Sequence, residues 1–151
     1  MAHVGTTPNL GLPVWNGGDK PEMADFNDAF SKIDADGVPV LSGSGNNRSV
    51  QVKCANGVLL TWGRVSYQAV ITSAYGSVYQ NQVTINFPTG NGVYVEPPEV
   101  FLNTASTGVI WGTNRGAGST TSKVDYYIVS PVSIDTALTV VVSYLAVGRW
   151  K

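Results

Sequence analysis

Only one stretch of this chain has a helical period. Apolar residues fall at Met23, Phe26, Phe30 and Ile33, in steps of three, four and three. That is the a/d spacing of a coiled-coil seam. Asp25, Asn27, Asp28, Ser31 and Lys32 fill the positions between them. Asp19-Lys20-Pro21-Glu22 reads as a helix start, with Asp19 as cap, Glu22 three residues on, and Pro21 where a missing N–H costs nothing. Gly37 and Pro39 end the pattern. A run of about 13 residues makes roughly 20 Å of helix, too short to be stable alone in water. Its apolar stripe must be covered, by the rest of its own chain or by other copies. Two large phenylalanines and no other helical period favour other copies, so Met23, Phe26, Phe30 and Ile33 are expected to form a subunit interface.

Beyond residue 41 the pattern changes. The chain has 151 residues, 17 of them Gly, and only 13% are charged. With its many Val, Thr and Ser, this is the profile of an all-β domain with tight turns. Short alternating runs follow one another: Ser49–Cys54, the Asn56-Gly57 turn, Val58–Tyr67, and Gln68–Ser73 as its extension or a separate strand. Then come Val83–Phe87, Glu99–Asn103, Thr107–Gly112, Val124–Ser130 and Leu138–Gly148. Val83, Ile85 and Phe87 share one face, as do Val124, Tyr126 and Ile128. Leu138–Gly148 is apolar on both faces, which places it centrally with a further layer or subunit on its second side. About seven antiparallel strands with Pro/Gly turns read as a β-sandwich. The expected organisation is therefore mainly β. Residues 1–41 form an extended segment with one short trimerising helix. Residues 42–151 form an antiparallel β-sandwich head, entered through a flexible Ser42–Asn47 linker.

Charge separates the same two parts. Residues 1–41 carry two basic and six acidic side chains, a net −4; the remainder carries seven basic and four acidic, a net +3. The whole chain is −1, which argues against nucleic acid or an anionic membrane as partner. No apolar run is long enough to span a bilayer, so membrane insertion is not expected, and the start has no signal-peptide pattern. The single Cys54 excludes an intrachain disulfide and a Cys-rich metal site; it reads as a buried small residue. No cofactor or metal motif is present. The leading segment with Pro8, Leu10, Leu12, Pro13 and Trp15 reads as extended and lying along a neighbour.

Several runs carry a family resemblance. Thr7-Pro8-Asn9-Leu10-Gly11-Leu12-Pro13, Asp19-Lys20 and Ala24–Asp34 resemble the N-terminal pattern of tail and baseplate proteins from phages of Gram-positive bacteria. Gly57–Gly63, Asn86-Phe87-Pro88-Thr89, Pro97-Pro98-Glu99-Val100 and Ala146-Val147-Gly148-Arg149-Trp150 resemble the C-terminal domains of phage tail fibres and, more distantly, H-type lectins. The resemblance implies a homotrimeric virion protein at the tail tip or baseplate, acting outside the cell. Its head would contact a host cell-surface polysaccharide or wall glycan, and its N-terminal segment other tail or baseplate proteins. No sugar-coordinating set aligns, so the resemblance carries over no binding residue. A structural baseplate or fibre component that binds only virion proteins is the alternative.

The residue types argue against catalysis. A nucleophile–base pair needs a base in the fold, and the one histidine is His3. Paired carboxylates could cleave glycans, but the head offers only Glu96, Glu99, Asp125 and Asp135, and Glu96 and Glu99, flanking Pro97-Pro98 in a turn, read as solvated edge charges. The contact candidates lie in two segments read as loops. Thr113–Ser122 is polar and Gly-rich and is bordered by Trp111; in it, Asn114 and Arg115 can direct hydrogen bonds to hydroxyls or phosphate. Tyr75–Gln82 places Tyr75 and Tyr79 beside amides, ring face with polar edge, as a sugar requires. Subunit packing is the rival for Tyr75 and Tyr79. Trp62 and Trp150 read as core or subunit interface.

Overall fold

A computed structural model describes residues 4–8, 11–15, 17–18, 20–35, 39–45 and 47–151. His3, Leu10, Asp19, Gly37 and Asn46 lie outside them. The first short strands, β1 (Gly5–Thr6) and β2 (Pro13–Val14), pair antiparallel. The leading segment is thus a hairpin rather than an extended arm. Thr7 closes its turn: its hydroxyl accepts from Leu12 N at 3.0 Å and its carbonyl from Gly11 N at 3.0 Å.

Helix α1 spans Met23–Ala35. Its start is fixed three residues later than Asp19 would set it, by the same reciprocal spacing. The Asp25 carboxylate accepts from Glu22 N at 3.1 Å, while Asp25 N donates back to the Glu22 carbonyl at 3.1 Å; this satisfies donors that a helix end leaves open. Lys32 pairs with Asp28 one turn earlier at 2.7 Å and donates to Gly11 O at 3.0 Å. Trp15 lies against Phe26, ring centroids 5.7 Å apart. The hairpin therefore covers one ring of the seam. The rest of the stripe is open: Met23 is 74% and Phe30 65% exposed.

The head is a sandwich of two antiparallel sheets, as the strand pattern leads one to expect. Its strands are β3 (Val40–Ser44), β4 (Asn47–Lys53), β5 (Val58–Ile71), β6 (Ser73–Tyr75), β7 (Val78–Asn86), β8 (Glu99–Ser106), β9 (Trp111–Ser119), β10 (Lys123–Ser130) and β11 (Ile134–Arg149). One sheet runs β3-β4-β5-β11-β8 and the other β6-β7-β10-β9. Gly57, at φ +95, makes the β4–β5 turn, and Gly76, at φ +60, the β6–β7 turn.

Alternation decides which side chains meet between the sheets. Leu59, Ala69 and Ile71 from β5 and Val140, Val142, Tyr144 and Ala146 from β11 face Ile85 from β7 and Val124, Tyr126 and Ile128 from β10. β11 lies inside its sheet, paired to β5 and β8. The core also holds a buried amide. Gln51 Nε2 donates to the carbonyls of Pro88 at 3.0 Å and Gly92 at 3.2 Å, and its oxygen accepts from Asn91 N at 3.0 Å. This fastens the 87–95 segment to β4. Tyr94 continues the clamp, donating to Thr61 Oγ1 at 2.8 Å. Trp150 donates from its indole to Cys54 O at 2.8 Å, with Lys53 Nζ 3.9 Å from its ring centre.

Four expectations need correction. Ser42–Asn47 is not a linker but the β3–β4 hairpin, its glycines serving a tight turn at which Ser44 meets Asn47. Thr113–Ser122 is not a free loop. Most of it is β9, paired to β10 from Trp111↔Val129 to Ser119↔Val124, with an irregularity that takes up the extra residues. Tyr75–Gln82 is likewise the β6–β7 hairpin. Conversely, Thr107–Ile110, read as strand, is the turn between β8 and β9. In each case composition was read as loop or strand where pairing across a hairpin decides.

Candidate functional site

Outward residues of the four-stranded sheet form a groove. Gln80, Val129 and Trp111 stand in one cross-strand row, and Gln82, Tyr127 and Thr113 in the next. Tyr75, opposite Val78 on β6, closes the end. Tyr75, Val78, Gln80, Trp111, Thr113, Tyr127 and Val129 together enclose about 400 Å³. A second depression of about 420 Å³ continues past Gln80 and Tyr127 towards Val70, Thr72 and Ser73. Trp111 is 43% and Tyr75 70% exposed, so ring surface is open to solvent.

Beyond Thr113 the groove meets a charged network. Asp125 accepts from Thr84 Oγ1 at 2.6 Å and from Lys123 Nζ at 3.3 Å, and Arg115 approaches it at 4.0 Å. The Thr84 hydrogen bond, with lesser help from Lys123 and Arg115, holds the Asp125 carboxyl below the usual carboxylate range, against the opposing effect of burial. Arg115 also donates to Gln82 Oε1 at 3.2 Å. One side of the guanidinium is therefore committed to the sheet. Asp125 stays ionised at neutral pH and is spent on holding its neighbours, an unsuitable setting for a general acid.

The sequence-derived candidates fall into three groups. Trp111 and Tyr75, read from separate segments, meet across the same groove. Arg115 lies on that face but next to it. Asn114 and Tyr79 point elsewhere. The Asn114 amide donates to Val100 O on β8 at 3.0 Å, joining the two sheets at their edge. Tyr79 packs against the core, because it shares strand parity with Val83 and Ile85. The main residue not anticipated is Tyr127. Its signal was in the sequence: if Val124, Tyr126 and Ile128 face inward, Tyr127 must face out. Of the interface candidates, Trp62 is 39% exposed on the other outer face, and Trp150 packs against the core.

Among the described residues no three His, Cys, Asp or Glu side chains are grouped to hold a metal ion. None of their helices is long and apolar enough to cross a membrane.

No family model matches the chain, and no curated protein does. Among solved structures, it is similar to the C-terminal part of the P. aeruginosa R1 pyocin fibre, with a TM-score of 0.47 and 14% identity over 95% of this chain and 41% of that one. The C-terminal part of the P. aeruginosa R2 pyocin fibre gives 0.46 and 19% over 96% of this chain and 33% of that one. An N-truncated R1-type pyocin tail fibre gives 0.43 and 14% over 87% of this chain and 99% of that one. The chain thus spans less than half the length of the first two structures.

Proposed function

We propose that this chain is a receptor-binding part of a phage tail fibre. In this reading it is a homotrimer that binds a host cell-surface polysaccharide without cleaving it, at the tail tip. The observation that carries the proposal is the meeting of Tyr75, Trp111 and Tyr127 around Gln80 and Thr113 in one open groove. Sugar rings present apolar C–H faces and hydroxyl edges. Aromatic faces bounded by amide and hydroxyl groups match both. The groove suits one or two sugar units, and weak single-site binding would gain from three copies on one axis. The sequence resemblance to tail-fibre heads points the same way. Trimerisation through Met23, Phe26, Phe30 and Ile33 accounts for the open seam of a helix too short to stand alone. The absence of catalysis is part of the proposal and follows from the site's own groups: its one buried carboxylate, Asp125, is tied to Thr84 and Lys123.

The test is a glycan array with the intact protein, wild type beside Trp111→Ala and Tyr127→Ala. Binding to a defined set of polysaccharides, weakened in both variants with folding intact, is the expected result. Binding that neither substitution changes would remove the groove from the proposal. No binding to any saccharide would favour the alternative, a fibre component that contacts only virion proteins. Release of sugar ends from a bound polysaccharide would overturn the non-catalytic reading.

A further inference from the structure

The other outer face of the head, that of the five-stranded sheet, is apolar where an antiparallel sheet facing water would be polar. Strand register sets Leu41, Val50, Trp62, Leu145 and Phe101 side by side, one from each of the five strands. Leu41 is 65% and Phe101 63% exposed. Val52, Leu60 and Val147 form a second, shorter apolar row on one side, which ends at Glu99 on β8. The row on the other side places Arg48 directly opposite Arg64. Like charges facing each other across a strand pair are unfavourable. Among the described residues neither guanidinium has an ion pair or a side-chain hydrogen bond. Arg48, Arg64, Trp62, Val50 and Leu41 line a depression of about 570 Å³.

Helix α1 has the complementary surface. Its seam is apolar and open, and Phe30, Ile33 and Asp34 border one depression on its surface. Asp34 therefore lies at the edge of the seam, as Arg48 and Arg64 lie at the edge of the apolar row. The lengths agree: 13 residues make a helix of about 20 Å, and five strands at about 4.8 Å spacing make a row of about 19 Å. A parallel three-helix seam would instead rest on only four apolar residues per chain, on a helix of 13 residues that is too short to be stable by itself, and would leave Asp34 at the seam's edge with no cation facing it.

We propose that α1 of one copy docks on the outer face of the five-stranded sheet of a second copy, with Asp34 set against Arg48 and Arg64. This rests on the homotrimer reading and names what its seam packs on. Each copy then gives one helix and receives one, a head-to-tail contact that closes into a ring at three. Trp62, Leu145 and Phe101 leave water beneath the helix, and the facing arginines gain the anion they lack.

Sedimentation of the full chain tests this, with circular dichroism as the folding control. Arg48→Glu with Arg64→Glu should raise the concentration needed for assembly by roughly tenfold or more. Adding Asp34→Lys to that pair should restore much of it. A photo-crosslinker placed at Phe30 should attach to the Trp62 region of another chain; this readout does not need the charge variants to fold. Attachment to Phe30 of other chains, with the arginine variants still fully assembled, would overturn the docking and leave the trimer standing. Attachment within a single chain would overturn it as well. A wild type that is monomeric at tens of micromolar would overturn both the docking and the trimer, while the glycan array judges sugar binding separately.

Discussion

The two outer faces of the sandwich are built on the same core, yet their chemistry is opposite. The four-stranded face gathers its aromatic rings in one groove among Gln80, Gln82, Thr113 and Thr84, and its carboxylate, Asp125, is already paired with Lys123 and Arg115. The five-stranded face carries two apolar rows, the second ending at Glu99, and two facing arginines, Arg48 and Arg64, with no ion pair among the described residues. A surface that is complete in itself can stay in water and meet a ligand transiently. A surface with bare apolar rows and unbalanced arginines needs a permanent cover. In the proposed reading, solvent-facing residues, more than the shared fold, separate a recognition face from an assembly face.

The largest effect that would break this contrast is expected at Trp62. Trp62→Asp puts a carboxylate into the middle of the apolar row, so assembly should be lost at micromolar concentration in sedimentation, while saccharide binding by each head persists at its single-site strength. Loss of sugar binding with assembly intact would reverse the roles assigned to the two faces. Next comes Trp111→Ala. Removing one stacking ring should weaken saccharide binding by roughly tenfold, about 1.4 kcal/mol, with no change in sedimentation.

A third, smaller effect sharpens the idea that the recognition face is internally neutralised. Asp125 has a lowered pKa in the folded chain, so it contributes stability above its unfolded value. That stability is lost as pH falls through the folded one. Wild type should be more stable than Asp125→Asn at pH 7, and the difference should vanish below the usual carboxylate range in denaturant titrations at stepped pH. A difference that survived there would show that shape, not charge, is what Asp125 supplies.

Smallest at neutral pH, and common to both faces, is the alkaline limit. Burial pushes Tyr67 and Tyr94 up to about 12. Their neutral forms stabilise the fold fully below about 10, the unfolded value, and this is lost as pH rises towards 12. Tyr67→Phe should flatten the fall in stability between pH 10 and 12 while leaving the midpoint at pH 7 little changed.

Much of this architecture was legible in the chain, because alternation and helical period report burial directly. The core positions Ile85, Val124, Tyr126 and Ile128 were read from period alone. The helix was found by its period, although its start lies three residues later than Asp19 would set it. What could not be read was pairing. Composition makes Thr113–Ser122 and Ser42–Asn47 look like loops; only pairing with β10 and β4, each across a turn, makes strands of them. For the same reason, Tyr75 and Trp111 could be named separately but not placed in one groove. Asn114 and Tyr79 were assigned to binding because parity within a strand cannot be assigned to a segment taken for a loop. The apolar row on the five-stranded sheet lay beyond sequence reasoning altogether, since it exists only through four separate registers.

One feature of the sheet order bears on how the fold is reached in time. β5 and β8 are neighbours of β11 on either side and not of each other. Until Ile134–Arg149 has emerged, β5 has one unsatisfied edge and β8 has no strand of its own sheet beside it. Pairs such as Val58↔Arg149 and Gly63↔Tyr144 join residues from opposite ends of the head, and such distant contacts form slowly. A ribosome that stalled before β11 would hold out two apolar strands with free hydrogen-bonding edges, a ready template for aggregation. The strand that completes the sheet is thus also the one that ends the chain's vulnerable interval. Synonymous changes that slow its translation should lower soluble yield without altering the finished molecule.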